Sequence, residues 1–337
     1  MSKILITGAA GFIGYHVATL LATSSNYEIV ALDSFKPAHP TQLTELRARK
    51  LLELDIKVLN LDLLEHSPKS LQNIFGSVDL VLHLAAFPGV RSLEVQKVDV
   101  LKNNIQSFEI IANFAREISS KLIYASSSSV YGDQGISGPC KEIDLKKFIG
   151  KGDYAFSKWE NEQYALKLKN KNQLESVGLR FFSVFGSFGR EDMAYFKFAN
   201  QILRNEPLNI YGSINDFRDY TPIDYVAKDV NYLTEFFLND NIAIEKEFLS
   251  KESLPILNIG SGQPKSVQDI IDLYSKQYGK KINTLNHPRQ HVESLKTWSD
   301  NEKRNRMLPN RDIVSFEEAL SNFIIWHNTF NQTLWDK

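Results

Sequence analysis

A short run near the start of the chain, Gly8-Ala9-Ala10-Gly11-Phe12-Ile13-Gly14, restricts the possible folds more than any other stretch. It follows the apolar segment Lys3 to Thr7, which reads as a strand, and leads into Ile13, Val17, Leu20 and Leu21, which recur at helical spacing. Glycines at 8, 11 and 14 let a strand-to-helix turn close tightly and let its main chain approach a pyrophosphate. The free N–H groups and the dipole of the helix start stabilise that charge, with Phe12 and Ile13 in the same turn. Farther on, Asp33 closes a second strand, Glu28 to Leu32, where a carboxylate accepts hydrogen bonds from both adenosine ribose hydroxyls. Its charge repels a 2′-phosphate, so the expected cofactor is NAD rather than NADP. Asp62 and Leu63 follow a third strand, Lys57 to Asn60. Leu84, Ala85 and Ala86 come at the end of a fourth, Leu80 to Leu84, and both groups fall where adenine and ribose rest.

Two more apolar runs, Lys121 to Ser126 and Val177 to Arg180, alternate with helical stripes. One stripe is Ile105, Phe108, Ile111, Ala112 and Ala115; another spans Tyr154 to Lys169. Short apolar strands alternating with helices predict an α/β protein with a Rossmann-type, doubly wound parallel sheet buried on both faces. Beyond Arg180 the regularity gives way to short strands with Pro and Gly punctuation, which predicts a smaller α/β C-terminal substrate lobe. The expected division is residues 1–180 for the NAD-binding domain, with segments near 222–260 returning to it, and 181–337 mainly for the substrate. The charged stretch Glu245 to Glu252 reads as a solvated loop.

A chain of 337 residues is long enough for two lobes. Lys and Arg number 39 against 40 Asp and Glu, so there is no overall charge to attract nucleic acid or an anionic membrane. Cys140 is the single cysteine, which excludes an internal disulfide and a cysteine metal cluster; no metal is expected, and the usage suits a reducing cytoplasm. Gly8 comes too early for a signal-peptide core, and no apolar run nears the roughly 20 residues of a membrane helix, so a soluble protein is expected.

Tyr154-Ala155-Phe156-Ser157-Lys158 sets a phenol and an ammonium one turn apart on one helix face. A nearby cation favours phenolate, so Tyr154 can serve as general base while Lys158 also holds a ribose hydroxyl. The preceding strand ends in Ser126-Ser127-Ser128-Ser129-Val130-Tyr131-Gly132, which brings hydroxyls to the carboxyl edge of a parallel sheet, where such sheets bind ligands.

These motifs together resemble the extended short-chain dehydrogenase/reductase family over nearly the whole chain. The resemblance implies a catalytic triad of Ser127, Tyr154 and Lys158, and sets Asn104 and His83-Leu84-Ala85-Ala86 on recurrent family positions. Within the family the chain is most similar to UDP-glucuronate 4-epimerases. Gly89-Val90-Arg91, the serine run, Leu179 to Gly186 and Gly189-Arg190-Glu191-Asp192-Met193-Ala194 carry that similarity, and Arg218-Asp219-Tyr220-Thr221 looks like the nucleotide-sugar element whose arginine meets a diphosphate.

What the resemblance implies is a redox-neutral 4-epimerisation of a UDP-sugar, UDP-glucuronate to UDP-galacturonate, through a transient 4-keto sugar. The implied substrate contacts are Arg91, Ser128, Ser129, Ser183, Arg190 and Arg218. Dehydratases carry an Asp-Glu pair where Ser128 and Ser129 stand here, and related decarboxylases a Glu at Ser129. Neutral hydroxyls accommodate a hexuronate carboxylate without like-charge repulsion. The alternatives are 4-epimerisation of UDP-glucose or UDP-GlcNAc, decarboxylation of UDP-glucuronate, and a non-catalytic NAD-binding scaffold or sensor. Arg289-Gln290-His291-Val292-Glu293 departs from the family's Arg-x-Gly-Asp element, so no residue is assigned as a second diphosphate arginine. By the same resemblance the chain is expected to be a cytoplasmic homodimer and to serve polysaccharide biosynthesis.

Overall fold

The structure is a computed structural model that describes residues 1–23, 26–36, 42–88, 99–143, 145–239, 245–250, 252–289, 295–311 and 314–335. Its centre is a seven-stranded sheet of β1 (Ser2–Thr7), β2 (Tyr27–Asp33), β3 (Val58–Asn60), β4 (Leu80–His83), β5 (Lys121–Ser127), β6 (Ser176–Phe181) and β11 (Ile256–Ile259). Every pairing is parallel, and the order is β11-β6-β5-β4-β1-β2-β3. The chain winds outward in both directions from β1 and β4, which leaves a crevice at their carboxyl ends.

Alternate residues on each strand enter different cores because side chains alternate across a sheet. Ile4, Ile6, Leu82, Ile123 and Leu179 pack on one face with α1 (Phe12–Ala22) and α7 (Ile223–Leu238). Leu5, Val81, Leu122 and Tyr124 pack on the other with α3 (Pro68–Phe75), α4 (Ser107–Glu117) and α5 (Gly152–Asn170). Helix α2 (Gln42–Leu52) lies between β2 and β3 in sequence.

A third core is built from α6 (Ala194–Leu203), α8 (Val267–Tyr278) and α10 (Phe316–Trp335), around Phe185, Tyr195, Phe196, Phe198, Tyr274, Phe316 and Phe323. Short strands edge it: β7 (Ser183–Phe185) pairs with β10 (Tyr220–Pro222), β8 (Leu208–Tyr211) with β13 (Thr284–His287), and β9 (Phe217–Arg218) lies between β12 (Lys265–Ser266) and β14 (Lys296–Thr297). Helix α9 (Glu302–Met307) packs near β11, where Arg304 forms a buried ion pair with Asp229 of α7 at 2.7 Å.

One expectation is corrected. Glu245–Leu249 forms a π-helical turn rather than a solvated loop, because Phe248 is fully buried against Phe237 and beneath the Lys303 ammonium. No described helix is long and apolar enough to cross a membrane, and no group of three or more His, Cys, Asp or Glu among the described residues could hold a metal ion.

Candidate active site

The glycine turn is shaped by direct steric need. Gly8 has φ +72°, and a Cβ there would lie 2.6 Å from the Ala85 nitrogen; a Cβ on Gly14 would lie 2.1 Å from the Gly8 carbonyl oxygen. Without side chains, α1 starts directly beneath the turn, and Gly11 N–H donates to Gly8 O at 3.0 Å. The half-buried Ile13 side chain packs against the core, leaving its main chain in the glycine turn. Thr7 fixes the neighbouring strand: its hydroxyl lies 2.8 Å from His83 Nδ1 and accepts the Ala85 N–H at 3.3 Å. His83 is buried, and burial followed by the Lys158 charge lowers its pKa to about 3, so it is a neutral structural ring.

The crevice is lined by Gly8, Gly11, Phe12, Asp33, Asp62, Leu63, Leu84, Ala85 and Ala86, and at its far side by Arg190. Counted together with the solvent at its open mouth, the crevice spans about 1030 Å³. Asp33 accepts from Ala10 N–H at 3.2 Å and Phe35 N–H at 3.0 Å, while Asp62 caps the turn Leu63–Glu65 through Leu64 N–H and pairs with Lys36. The glycine turn and the fixed carboxylate at the end of β2 fit the pyrophosphate and ribose of NAD.

Asn104 stands apart from the crevice wall. It lies in a π-helical turn, Lys102–Gln106, accepts Phe87 N–H at 2.8 Å, and donates to Phe87 O and to Ser157 Oγ, both at 3.1 Å. It thereby clamps the β4 loop to α5.

Strand β5 ends at Ser127, and Ser128 and Ser129 start a 3₁₀ turn that Ser127 caps. Ser127 Oγ accepts Ser129 N–H at 3.2 Å and Ser129 Oγ–H at 2.9 Å, and its hydroxyl also engages the Tyr154 phenol. With two donors already bound, its own proton is free to point at the phenolic oxygen. Lys158, buried, donates to the Ala125 carbonyl at 2.9 Å, and its Nζ lies 6.0 Å from the Tyr154 ring centre. Burial brings the Lys158 pKa down to about 8, with Glu162 opposing the shift.

Burial raises the Tyr154 pKa, and the groups that act against it are Arg190 and Ser127. Arg190 thus joins Lys158, one turn along α5, as a cation on the side of the phenolate. Arg190 is oriented by a two-bond grip on Asp192, at 3.0 and 2.6 Å. Ser183 opens β7, partly buried, with its N–H on Asp219 O. Arg218 lies apart from the triad on β9, donating to Phe217 O and Leu295 O. Arg91 lies outside the described residues.

Arg289, which the sequence leaves unassigned, and Arg47, which nothing in the motifs singles out, both take defined places. Arg289 acts on Arg218 electrostatically and binds Asp216 at 2.6 Å, leaving a buried Nη1 with no partner among the described residues. Arg47 on α2 donates to Ala10 O at 3.2 Å, Phe188 O at 2.9 Å and Gly189 O at 2.9 Å, joining the glycine turn to the segment that bears Arg190. Its signal was an arginine between Leu43 and Leu51 on the buried face of α2.

Residues 4–237 match the family model described as the NAD dependent epimerase/dehydratase family. A UDP-glucuronate 4-epimerase of Thermodesulfobacterium geofontis is 31% identical, over 97% of this chain and 96% of that one; an uncharacterised protein of Methanocaldococcus jannaschii is 32% identical, over 96% and 95%. Among solved structures, UDP-glucuronic acid 4-epimerase from Bacillus cereus in complex with UDP-glucuronic acid and NAD superposes with a TM-score of 0.84 at 29% identity, covering 97% of this chain and 99% of that one.

Proposed function

Since the chain belongs to the NAD dependent epimerase/dehydratase family, we propose that it interconverts UDP-glucuronate and UDP-galacturonate by NAD-dependent 4-epimerisation. The observation that carries this reading is the meeting of Ser127, Tyr154 and Arg190 beside the dinucleotide crevice, with hydroxyls alone at positions 128 and 129. The full-length likeness to UDP-glucuronate 4-epimerases supports it.

NAD, when bound, supplies the acceptor and then the donor of the hydride at the sugar C4. Gly8, Gly11, Phe12, Ile13, Gly14, Asp33, Asp62, Leu63, Leu84, Ala85 and Ala86 would hold it, with Lys158 on a ribose hydroxyl. Tyr154 removes the proton from the sugar O4 and later returns it, so the cycle is neutral in protons as well as in redox. Arg190 and the Ser127 hydroxyl stabilise the phenolate while the proton is away. Ser128, Ser129 and Ser183 hydrogen-bond the hexuronate carboxylate, and with hydroxyls rather than acids at 128 and 129 the 4-keto sugar is returned rather than broken down.

Residues of 181–337 supply most of the substrate lobe in this reading, and Arg218 with Arg289 provides two cations for the UDP diphosphate. We also infer, from resemblance alone, a cytoplasmic homodimer serving polysaccharide biosynthesis; the mass in solution tests the dimer.

Purified protein incubated with UDP-glucuronate, UDP-glucose and UDP-GlcNAc, with products resolved by chromatography, tests the assignment. UDP-galacturonate is the expected product. Conversion of the neutral sugars alone, or release of carbon dioxide with a pentose product, would overturn it. Tyr154→Phe should abolish turnover while NAD stays bound.

A further inference from the structure

Behind the catalytic groups lies an ion pair that none of the roles above uses. Glu162, one turn after Lys158 on α5, accepts Ser126 Oγ at 2.5 Å, Arg180 Nε at 2.9 Å and Arg180 Nη2 at 2.7 Å. Both side chains are almost wholly out of solvent, 1% and 4% exposed. Arg180 also lies over the Tyr131 ring, 4.7 Å from its centre, and the Tyr131 hydroxyl donates to Asn258 of β11 at 2.7 Å. A buried ion pair contributes little net stability, because desolvation offsets its attraction. Its placement here has a different consequence. Ser126 is the neighbour of Ser127, and Lys158 shares a helix face with Glu162.

We propose that Glu162, held in place by Arg180, is a positioning residue for the reaction: it anchors the end of β5 through Ser126 and serves as the counter-charge of the buried Lys158. The inference rests on the roles assigned above to Ser127 and Lys158. The groups facing Lys158 are Tyr154 and Glu162 from α5, neutral His83 from β4 and the Ala125 carbonyl from β5, with Arg180 of β6 beyond Glu162. Glu162 is the carboxylate that acts on the Lys158 ammonium and opposes the effect of burial on it.

Glu162→Gln alone leaves Arg180 buried without a counter-charge and risks unfolding. The double variant Glu162→Met, Arg180→Met removes both charges at similar volume and should fold, as a melting transition would verify. Lysine ε-carbon NMR reads the Lys158 titration without turnover, the signal being identified by its loss in Lys158→Met. Where Glu162→Gln folds, Arg180 stands unopposed and the Lys158 midpoint should drop; the double variant removes both charges together, so its midpoint should move far less, while kcat should fall about tenfold because Ser126 has lost its acceptor and the end of β5 its anchor. Glu162→Asp should recover part of the shift. Wild-type kcat in the folded double variant, or an unmoved Lys158 midpoint in folded Glu162→Gln, overturns the proposal. Should the wild-type protein turn over no UDP-sugar while the midpoint still shifts, the positioning role stands and the epimerase reading falls.

Discussion

The Asp33 carboxylate accepts the Ala10 N–H at 3.2 Å, which locks the end of β2 to the glycine turn. Its other oxygen accepts Phe35 N–H at 3.0 Å, so the group is fixed before any ribose arrives. Asp33→Asn keeps the shape and removes the charge. Hydrogen bonds to a charged group contribute about 1.5–3 kcal/mol, so NAD affinity should fall about tenfold or more, while discrimination against NADP shrinks. Fluorescence titration with both nucleotides measures this, and an unchanged NAD to NADP ratio would remove Asp33 from the ribose site.

Arg47 donates to three main-chain carbonyls on two separate segments. Arg47→Met should therefore destabilise the fold by about 3 kcal/mol and loosen the segment bearing Arg190. Denaturant unfolding reads the first effect, and calorimetric titration with UDP-glucuronate reads the second. Wild-type values in both would show that the three bonds are idle.

Buried histidines set an acid limit. Burial lowers His83 to about 3 and His327 to about 4, against about 6.5 in an unfolded chain. Between those values the unfolded state binds more protons, so stability rises with pH through about 4 to 6.5 and is lost as pH falls through that window. Each group contributes about 1.4 kcal/mol per pH unit there, so stability at pH 5 should lie several kcal/mol below that at pH 7. His83→Gln should flatten the dependence; equal slopes in variant and wild type would exclude His83 as a source.

Ser129 donates its hydroxyl to Ser127 Oγ at 2.9 Å, so a side chain at 129 reports directly on the hydroxyl proposed to assist Tyr154. Ser129→Glu introduces a carboxylate next to the proposed uronate site. UDP-glucuronate affinity should drop about tenfold or more relative to UDP-glucose, through like-charge repulsion at short range. Equal loss for both sugars in competition binding would show that the carboxylate sits elsewhere.

Much of this was legible in order of residues. The strands of a parallel sheet covered on both faces are continuous apolar runs, and each expected strand lies within two residues of its observed bounds. Gly8, Gly11, Gly14 and Asp33 were readable because their roles depend on main-chain geometry and on distance along the chain. Phe248 was misread because local charge density hid a single aromatic that packs on α7.

The sequence by itself determined the doubly wound architecture and the glycine turn after β1, since each is set by local spacing, and it offered Ser127, Tyr154 and Lys158 as the proposed triad. Only the tertiary structure decided which charges act on them. The Arg190 charge acts on Tyr154 from another segment, Arg47 ties Ala10 to Phe188 and Gly189, the Arg289 charge acts on Arg218, and Arg180 fixes Glu162 one turn from Lys158. Electrostatic partners are chosen by proximity in space, and the strength of each pairing follows from burial, which residue order along the chain does not encode.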